Sequence, residues 1–549
     1  MERYTSTVLP LGDVGLATDM PAQTRSLSHY RTNENVMYEQ SGMIRKCGGD
    51  SRINSTAITS TPTITGMFDY WAAGTSGTFT QKFVVMTSNS KIYKDDMDGT
   101  FDDITGSATI TSSAIPVFCQ ARDTLLIFTN LNDTPLKWTQ TGNVSALGGS
   151  PPAGRGAVFH LNRVWTWGDN ANPSRITYGS STSIEDYTGA DAGFIDIDPD
   201  DGDRLIGAVV YKKHLIVFKG PNHGSIHVIS GTAPTGTDAF ARTPLTRGIA
   251  LQSHQSIIPV NDDIWFWSNR GIHSLAATQQ FGDYAGAFLS RFLHSFFRTS
   301  INRAGLSRVW GVNYAEKGCA LWVYPGNGSA TNNRTFGLSY LNVESGIQTG
   351  LQVENQHSGM NAFTWTRGGA SACTRINPSS MLREVAFGGV SNGFVTLQDQ
   401  TSREVAPSTA YSLRMVTPHL LFAEQDAAGR PRPYGIGTIN RLALRSVSTG
   451  NWNVNISMQR DSVESTGHTF NQGALLTTTG GFILGTSRLS TDTFGGGATG
   501  GPQLAFSDAV GRARSVQFTI TQGGWLEDAH LLELGIDWKP EAFQTEELN

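Results

Sequence analysis

The densest run of chemically capable side chains is Asp196-Ile197-Asp198-Pro199-Asp200-Asp201-Gly202-Asp203. Carboxylates spaced along a loop can wrap a hard cation. An EF-hand loop needs Gly at its sixth position and a bidentate Glu at its twelfth; counted from Asp196 these are Asp201 and Gly207, so that pattern fails. Two readings stay open: a cation site of another kind, and an acidic solvent-facing turn entering the apolar strand Leu205-Ile206-Gly207-Ala208-Val209-Val210. His223 and His227 have the spacing that puts two metal ligands on one helix face. The run Gly224-Ser225-Ile226-His227-Val228-Ile229 reads as strand, however, which leaves one histidine near a turn and the other on the strand. In Trp165-Thr166-Trp167 and Trp265-Phe266-Trp267 the indoles at i and i+2 share a face, either lining a sugar cleft or packing between sheets.

Motifs that would specify an enzyme are missing from the sequence: it has no GxxxxGK[ST], no HExxH and no GxSxG. Carboxylate pairs for glycoside hydrolysis come from distant positions, and nothing singles out a pair. The expectation is therefore a protein that is not an enzyme, with no catalytic residue, cofactor ligand or metal ligand assigned.

The elements that must position these side chains are strands. From about residue 65 a short β-branched or aromatic run, a turn and a second apolar run recur, which is the hairpin signal. Examples are Lys82-Phe83-Val84-Val85-Met86 with Lys91-Ile92-Tyr93-Lys94, and His214-Leu215-Ile216-Val217-Phe218 with Ser225-Ile226-His227-Val228-Ile229. Val84, Ile127, Trp165, Val217, Phe266, Trp322 and Ala386 mark seven copies in one orientation, spaced 38 to 64 residues apart. Propeller blades recur at about 40–50 residues, and each is a sheet unable to bury its faces alone. The spacing predicts an all-β fold with a propeller-like repeat over 65–405, insertions included. Phe288-Leu289, Phe292-Leu293 and Phe296-Phe297 recur every four residues and predict one helix covering a sheet edge between blades.

Residues 406–549 change character. Strands such as Arg441-Leu442-Ala443-Leu444, Trp452 to Met458 and Ser515 to Ile520 alternate inward and outward, which predicts an antiparallel β-sandwich. Phe494-Gly495-Gly496-Gly497-Ala498-Thr499-Gly500-Gly501-Pro502 is too rich in Gly for regular structure and reads as a mobile or partner-ordered loop. Residues 1–64 are polar and turn-rich, an extended segment expected to pack on the body or on partners.

Composition sets the outer limits. Only 16% of the 549 residues are charged, 41 basic against 46 acidic, for a formal charge of −5. That excludes a polybasic nucleic-acid binder, and 61 glycines speak against a helical bundle. Cys47, Cys119, Cys319 and Cys373 lie far apart and read as free thiols. No secretory signal is expected at the N-terminus, and no apolar run is long enough for a membrane-spanning segment.

The stretch from Asp203-Arg204-Leu205-Ile206 through Tyr211 to Lys219, then Arg247-Gly248-Ile249-Ala250, then Ile264 to Ile272 and the Phe/Leu segment, resembles the propeller-containing tail nozzle, or tail tubular, proteins of short-tailed bacteriophages. Asn35 to Gly49 and the ending Gly511-Arg512-Ala513-Arg514-Ser515 through Trp538 are similar to theirs as well. The resemblance rests on element order and loose motifs, and touches most of the chain. It implies a structural virion protein in a hexameric ring below the portal and adaptor, assembled in the host cytoplasm and carried in the virion tail. Its implied partners are further copies, a tail adaptor or portal-proximal protein, tail fibre or tailspike proteins, and transiently the exiting DNA. A low-charge wall suits that passage, because a lumen dense in Lys and Arg would hold phosphates through counterion release. Two other readings stay open: a tail-tip module binding receptor or glycan, and a propeller hydrolase or lyase acting on polysaccharide.

Overall fold

The computed structural model describes residues between Thr5 and Glu541, apart from short gaps and the longer stretches 20–28, 276–287, 342–360, 401–410, 426–430 and 472–501. The glycine-rich run 494–501 lies outside the described residues.

Seven antiparallel units follow one another from residue 64 to residue 400. Blade one spans 64–103, two 116–146, three 156–196, four 204–247, five 258–274, six 310–365 and seven 371–400. Each marker residue of the repeat falls on the second strand of its own blade, from Val84 in Phe79–Thr87 to Ala386 in Arg383–Gly388. These second strands are the most apolar because both of their faces are covered: Leu125 to Phe128, Leu215 to Phe218 and Ala320 to Val323 are all at most 1% exposed.

Apolar clusters lie between blades as well as within them. Tyr70 and Val84 of blade one pack with Leu125 and Trp138 of blade two, and Phe218 of blade four packs with Phe266 of blade five. This is what a repeat requires when one sheet cannot bury its own faces. Hydrogen bonds sew the same joints: Tyr211 donates to the Asp262 carbonyl at 2.9 Å, and Trp167 Nε1 to the Ile206 carbonyl at 3.1 Å. The ring closes where Ser371 Oγ donates to the Ile64 carbonyl at 2.7 Å and the Ile376 N–H to Asp69 at 3.0 Å, joining blade seven to blade one.

The C-terminal strands form a sandwich around Val36, Ile44, Leu442, Ile456, Phe518, Ile520, Leu534 and Ile536. One sheet runs Val36–Gln40, Met43–Lys46, His530–Glu541, Ile436–Val447, Pro502–Ala513. The other includes Leu413–Val416, Ser515–Gln522, Asn453–Arg460 and Val463–Asn471.

The N-terminal segment is woven into both bodies. Thr5–Pro10 pairs with the last strand, Leu9 opposite Leu534. Thr32–Glu34 joins Asn361–Trp365 of blade six to Leu413–Val416, so one sheet runs from the propeller into the sandwich. Gly49–Arg52 is the outer strand of blade seven. Each covers a strand edge that would otherwise expose unpaired backbone groups.

The single helix expected over 288–297 is shorter. It starts with a 3-10 turn at Arg291–Leu293 and continues as His294–Thr299. The chain at 288–290 is held to the edge of blade five instead: the Leu289 N–H donates to the Ile272 carbonyl at 3.0 Å, and the Ser290 hydroxyl accepts from the Ile272 N–H at 3.0 Å. Asp19 caps the helix, accepting from the His294 and Ser295 N–H groups at 2.6 Å. Its buried face, Phe296 and Phe297, packs with Trp267, Tyr324 and Phe336 between blades five and six.

Candidate functional site

The acidic run connects the outer strand of blade three, Gly193–Asp196, to the inner strand of blade four, Arg204–Tyr211. The loop is compact because Asp198, Asp200 and Gly202 all take left-handed φ angles of 39°, 66° and 80°. Asp and Asn tolerate that region better than most residues, and Gly enters it freely.

Each described carboxylate with a partner is committed within the protein. Asp196 lies opposite Arg175 across the strand pair and accepts from its Nε and Nη2 at 2.8 and 3.0 Å. The same guanidinium covers the Phe194 ring at 3.6 Å. Asp198 accepts from Arg242 and, at 3.1 Å, from Arg247. Hydrogen bonds from these arginines hold Asp196 and Asp198 below the ordinary carboxylate range. Asp203 turns into blade four and accepts the N–H groups of Asn222, His223 and Gly224 at 2.8, 2.9 and 2.6 Å.

The centre of the loop is filled by a cation from the chain itself. Lys219, at the end of a second strand, has a side chain with 0% exposure. Its Nζ donates to the Ile197 and Asp198 carbonyls at 2.9 and 2.7 Å and to Asp201 Oδ1 at 2.7 Å, with Ser174 Oγ at 3.2 Å. An ammonium has three hydrogens, so the long Ser174 contact is the shared one. A buried charge is tolerated only when paired and hydrogen-bonded in this way.

The histidines do not converge. His223 is exposed in the turn, while His227 is buried on the strand, its Nε2 2.9 Å from Ser225 Oγ. Burial pushes His227 down to about 4, with Arg242, Lys219 and Arg247 adding to the effect and Asp198 opposing it. It is neutral near pH 7. Among the described residues no group of three or more His, Cys, Asp and Glu is arranged to hold a metal.

An open cleft of about 460 Å³ lies beside the loop, lined in part by Ser174, Asp200, Asp203, Arg204 and Asn222. It is polar and lacks the indoles a sugar would stack on. Trp165, Trp167, Trp265 and Trp267 are all at most 3% exposed. Trp165 packs 4.9 Å from the rings of Tyr178 and Phe240, which makes the aromatic strands interblade packing.

A second feature, not visible in the sequence, links blades that are not neighbours in the chain. The turn His254–Ser256, between blades four and five, packs against the inner strands of blades four and six. From it Gln255 Nε2 reaches the Pro116 carbonyl of blade two at 3.1 Å. This bond links the turn between blades four and five to the first strand of blade two, across non-neighbouring blades. The signal for Lys219 was present, since it ends an apolar second strand, Leu215 to Phe218, buried on both faces. No local pattern announces Gln255, whose partner is 139 residues away.

No family model and no curated protein matches the chain. Among solved structures, it is similar to an exo-β-1,3-galactanase from Phanerochaete chrysosporium crystallised with galactose, at 9% identity and a TM-score of 0.24, covering 94% of this chain and 99% of that one. It is also similar to BBS1N in complex with ARL6DN, at 11% identity and a TM-score of 0.25, over 42% of this chain and 74% of that one. Likenesses this low carry no argument about activity.

Proposed function

We propose that this chain is a structural protein of a phage tail, one copy of a ring that forms the tail tube or nozzle through which the genome leaves. The observation that carries the reading is the joining of the two bodies. The seventh blade takes Gly49–Arg52 as its outer strand, and the ring is joined to the sandwich through Thr32–Glu34, while the resemblance to tail nozzle proteins rests on the sequence order from Asp203 through Ile272 with Asn35 to Gly49 and Gly511 to Trp538. A sheet continuous between propeller and sandwich suits a wall that keeps its shape while DNA moves past it. In this reading the DNA passes through the space enclosed by several copies, and the Gln255 hydrogen bond to blade two adds to the links that hold each copy's ring together. No helix of the described residues is long and apolar enough to cross a membrane.

Light scattering on the purified protein, together with electron microscopy of particles carrying a tagged copy, tests this. A ring located between the portal region and the tail tip supports it, and a strict monomer absent from particles overturns it. Label at the distal tip alone would favour the receptor-binding reading.

A further inference from the structure

We propose that the loop 196–203 is a cage built for an ammonium group, permanently occupied by Lys219, and that it opens to small organic ammonium ions once that side chain is cut back. Calcium takes six to eight oxygens at about 2.3–2.6 Å, several from carboxylates. Here four oxygens surround Nζ at 2.7, 2.7, 2.9 and 3.2 Å, and only one of them, Asp201 Oδ1, carries formal charge. Those are N–H···O distances, and a single carboxylate balances a monovalent ion. The cage therefore matches an ammonium in size, coordination number and charge.

Two further observations support the assignment. The Ile197 and Asp198 carbonyls reach Nζ only because the chain turns left-handed at Asp198, φ 39°, a conformation unfavourable for most residues. Asp196 is engaged by Arg175, Asp198 Oδ1 and Oδ2 by Arg242 and Arg247, and Asp203 by three backbone N–H groups, while Asp200 is exposed and lines the cleft and Asp201 Oδ1 also accepts the Asp203 N–H at 3.0 Å. What is left pointing inward is the set that holds Lys219. The cleft beside the loop is lined by Ser174, one of the four cage residues, and by Gly220, next to Lys219.

Truncating Lys219→Ala removes Cγ, Cδ, Cε and Nζ, the atoms of n-propylammonium. The experiment compares thermal melting of wild type, Lys219→Ala and Lys219→Met in n-propylammonium chloride, tetramethylammonium chloride and calcium chloride at matched ionic strength. The expected result is that Lys219→Ala melts below wild type and is raised by several degrees in propylammonium relative to tetramethylammonium, whereas calcium gives no specific gain. Wild type, and Lys219→Met with the site filled by an uncharged chain, show no such preference. Equal response of Lys219→Ala to the two ammonium salts, a specific gain from calcium, or wild-type stability in Lys219→Ala overturns the proposal. Should Lys219→Ala fail to fold, amine acylation of native wild type read by mass spectrometry decides. Lys219 is expected to react roughly 100-fold slower than Lys212, as for a group reached only through local opening, and equal rates overturn the proposal.

Discussion

Replacing Asp399 by Asn removes one charge from the joint between blade seven and the sandwich and leaves its shape nearly unchanged. Arg45, on the sandwich strand Met43–Lys46, meets Asp399 of blade seven at 2.5 Å, with side-chain exposures of 9% and 0%. Asp399 Oδ1 also accepts the Gly48 N–H at 2.8 Å, and Asp399 itself sits at φ 58° in a bulge of its strand. Asn tolerates that backbone region and retains an oxygen for Gly48, so the substitution isolates the charge. Among the described residues, the Met37 sulfur and the Lys46 carbonyl also meet Arg45, and neither carries a full charge. Breaking a buried pair by removing one partner costs about 3–5 kcal/mol, whereas replacing both costs little. Asp399→Asn is therefore expected to lose about 3–5 kcal/mol, and Arg45→Met combined with Asp399→Asn to recover most of it. Chemical denaturation of wild type, both single variants and the double variant gives the coupling directly. Single losses under about 1 kcal/mol, in the range of exposed pairs, or strictly additive losses, would refute the assignment of a buried, coupled pair at this joint.

Three further outcomes follow from the same structure. Ser51→Pro, in the strand that closes blade seven opposite Leu397, should disturb ring closure, since proline cannot donate to a ladder and fits poorly between flanking pairs; a melting temperature equal to wild type would contradict that closing role. His227, His254 and His273 are each pushed down to about 4, chiefly by burial. The unfolded chain therefore binds more protons between pH 6.5 and about 4, stability falls as pH falls through that window by about 1.4 kcal/mol per pH unit for each histidine, and His227→Gln should flatten the measured slope. Cys47, Cys119 and Cys319 are buried, with Cys119 pushed up to about 12 by desolvation, so a thiol reagent at pH 7 should label them only after denaturation; rapid labelling of Cys119 in the native protein would contradict its placement.

The repeat was legible because its signal is local. A second strand covered on both faces must be apolar along its length, and Val84, Trp165 and Val217 each identify one such strand within five to nine residues of sequence. The N-terminal weave was not legible, because what makes Thr5–Pro10, Thr32–Glu34 and Gly49–Arg52 strands is a set of partners more than 300 residues away. The helix was half legible for the same reason: the four-residue spacing holds for Phe292 to Phe297 and fails at Phe288, which bridges the edge residue His273. The acidic loop shows what periodicity can still recover. Its carboxylates suggest a missing cation only while Lys219 is taken for a surface residue. Lys219 ends a second strand whose two faces are both covered, so in either register it points into the molecule and needs the counter-charge and carbonyls that the loop provides. A lysine in an inward register near a carboxylate-rich turn is thus read first as the occupant of that turn. The demand for a metal then disappears before any is sought.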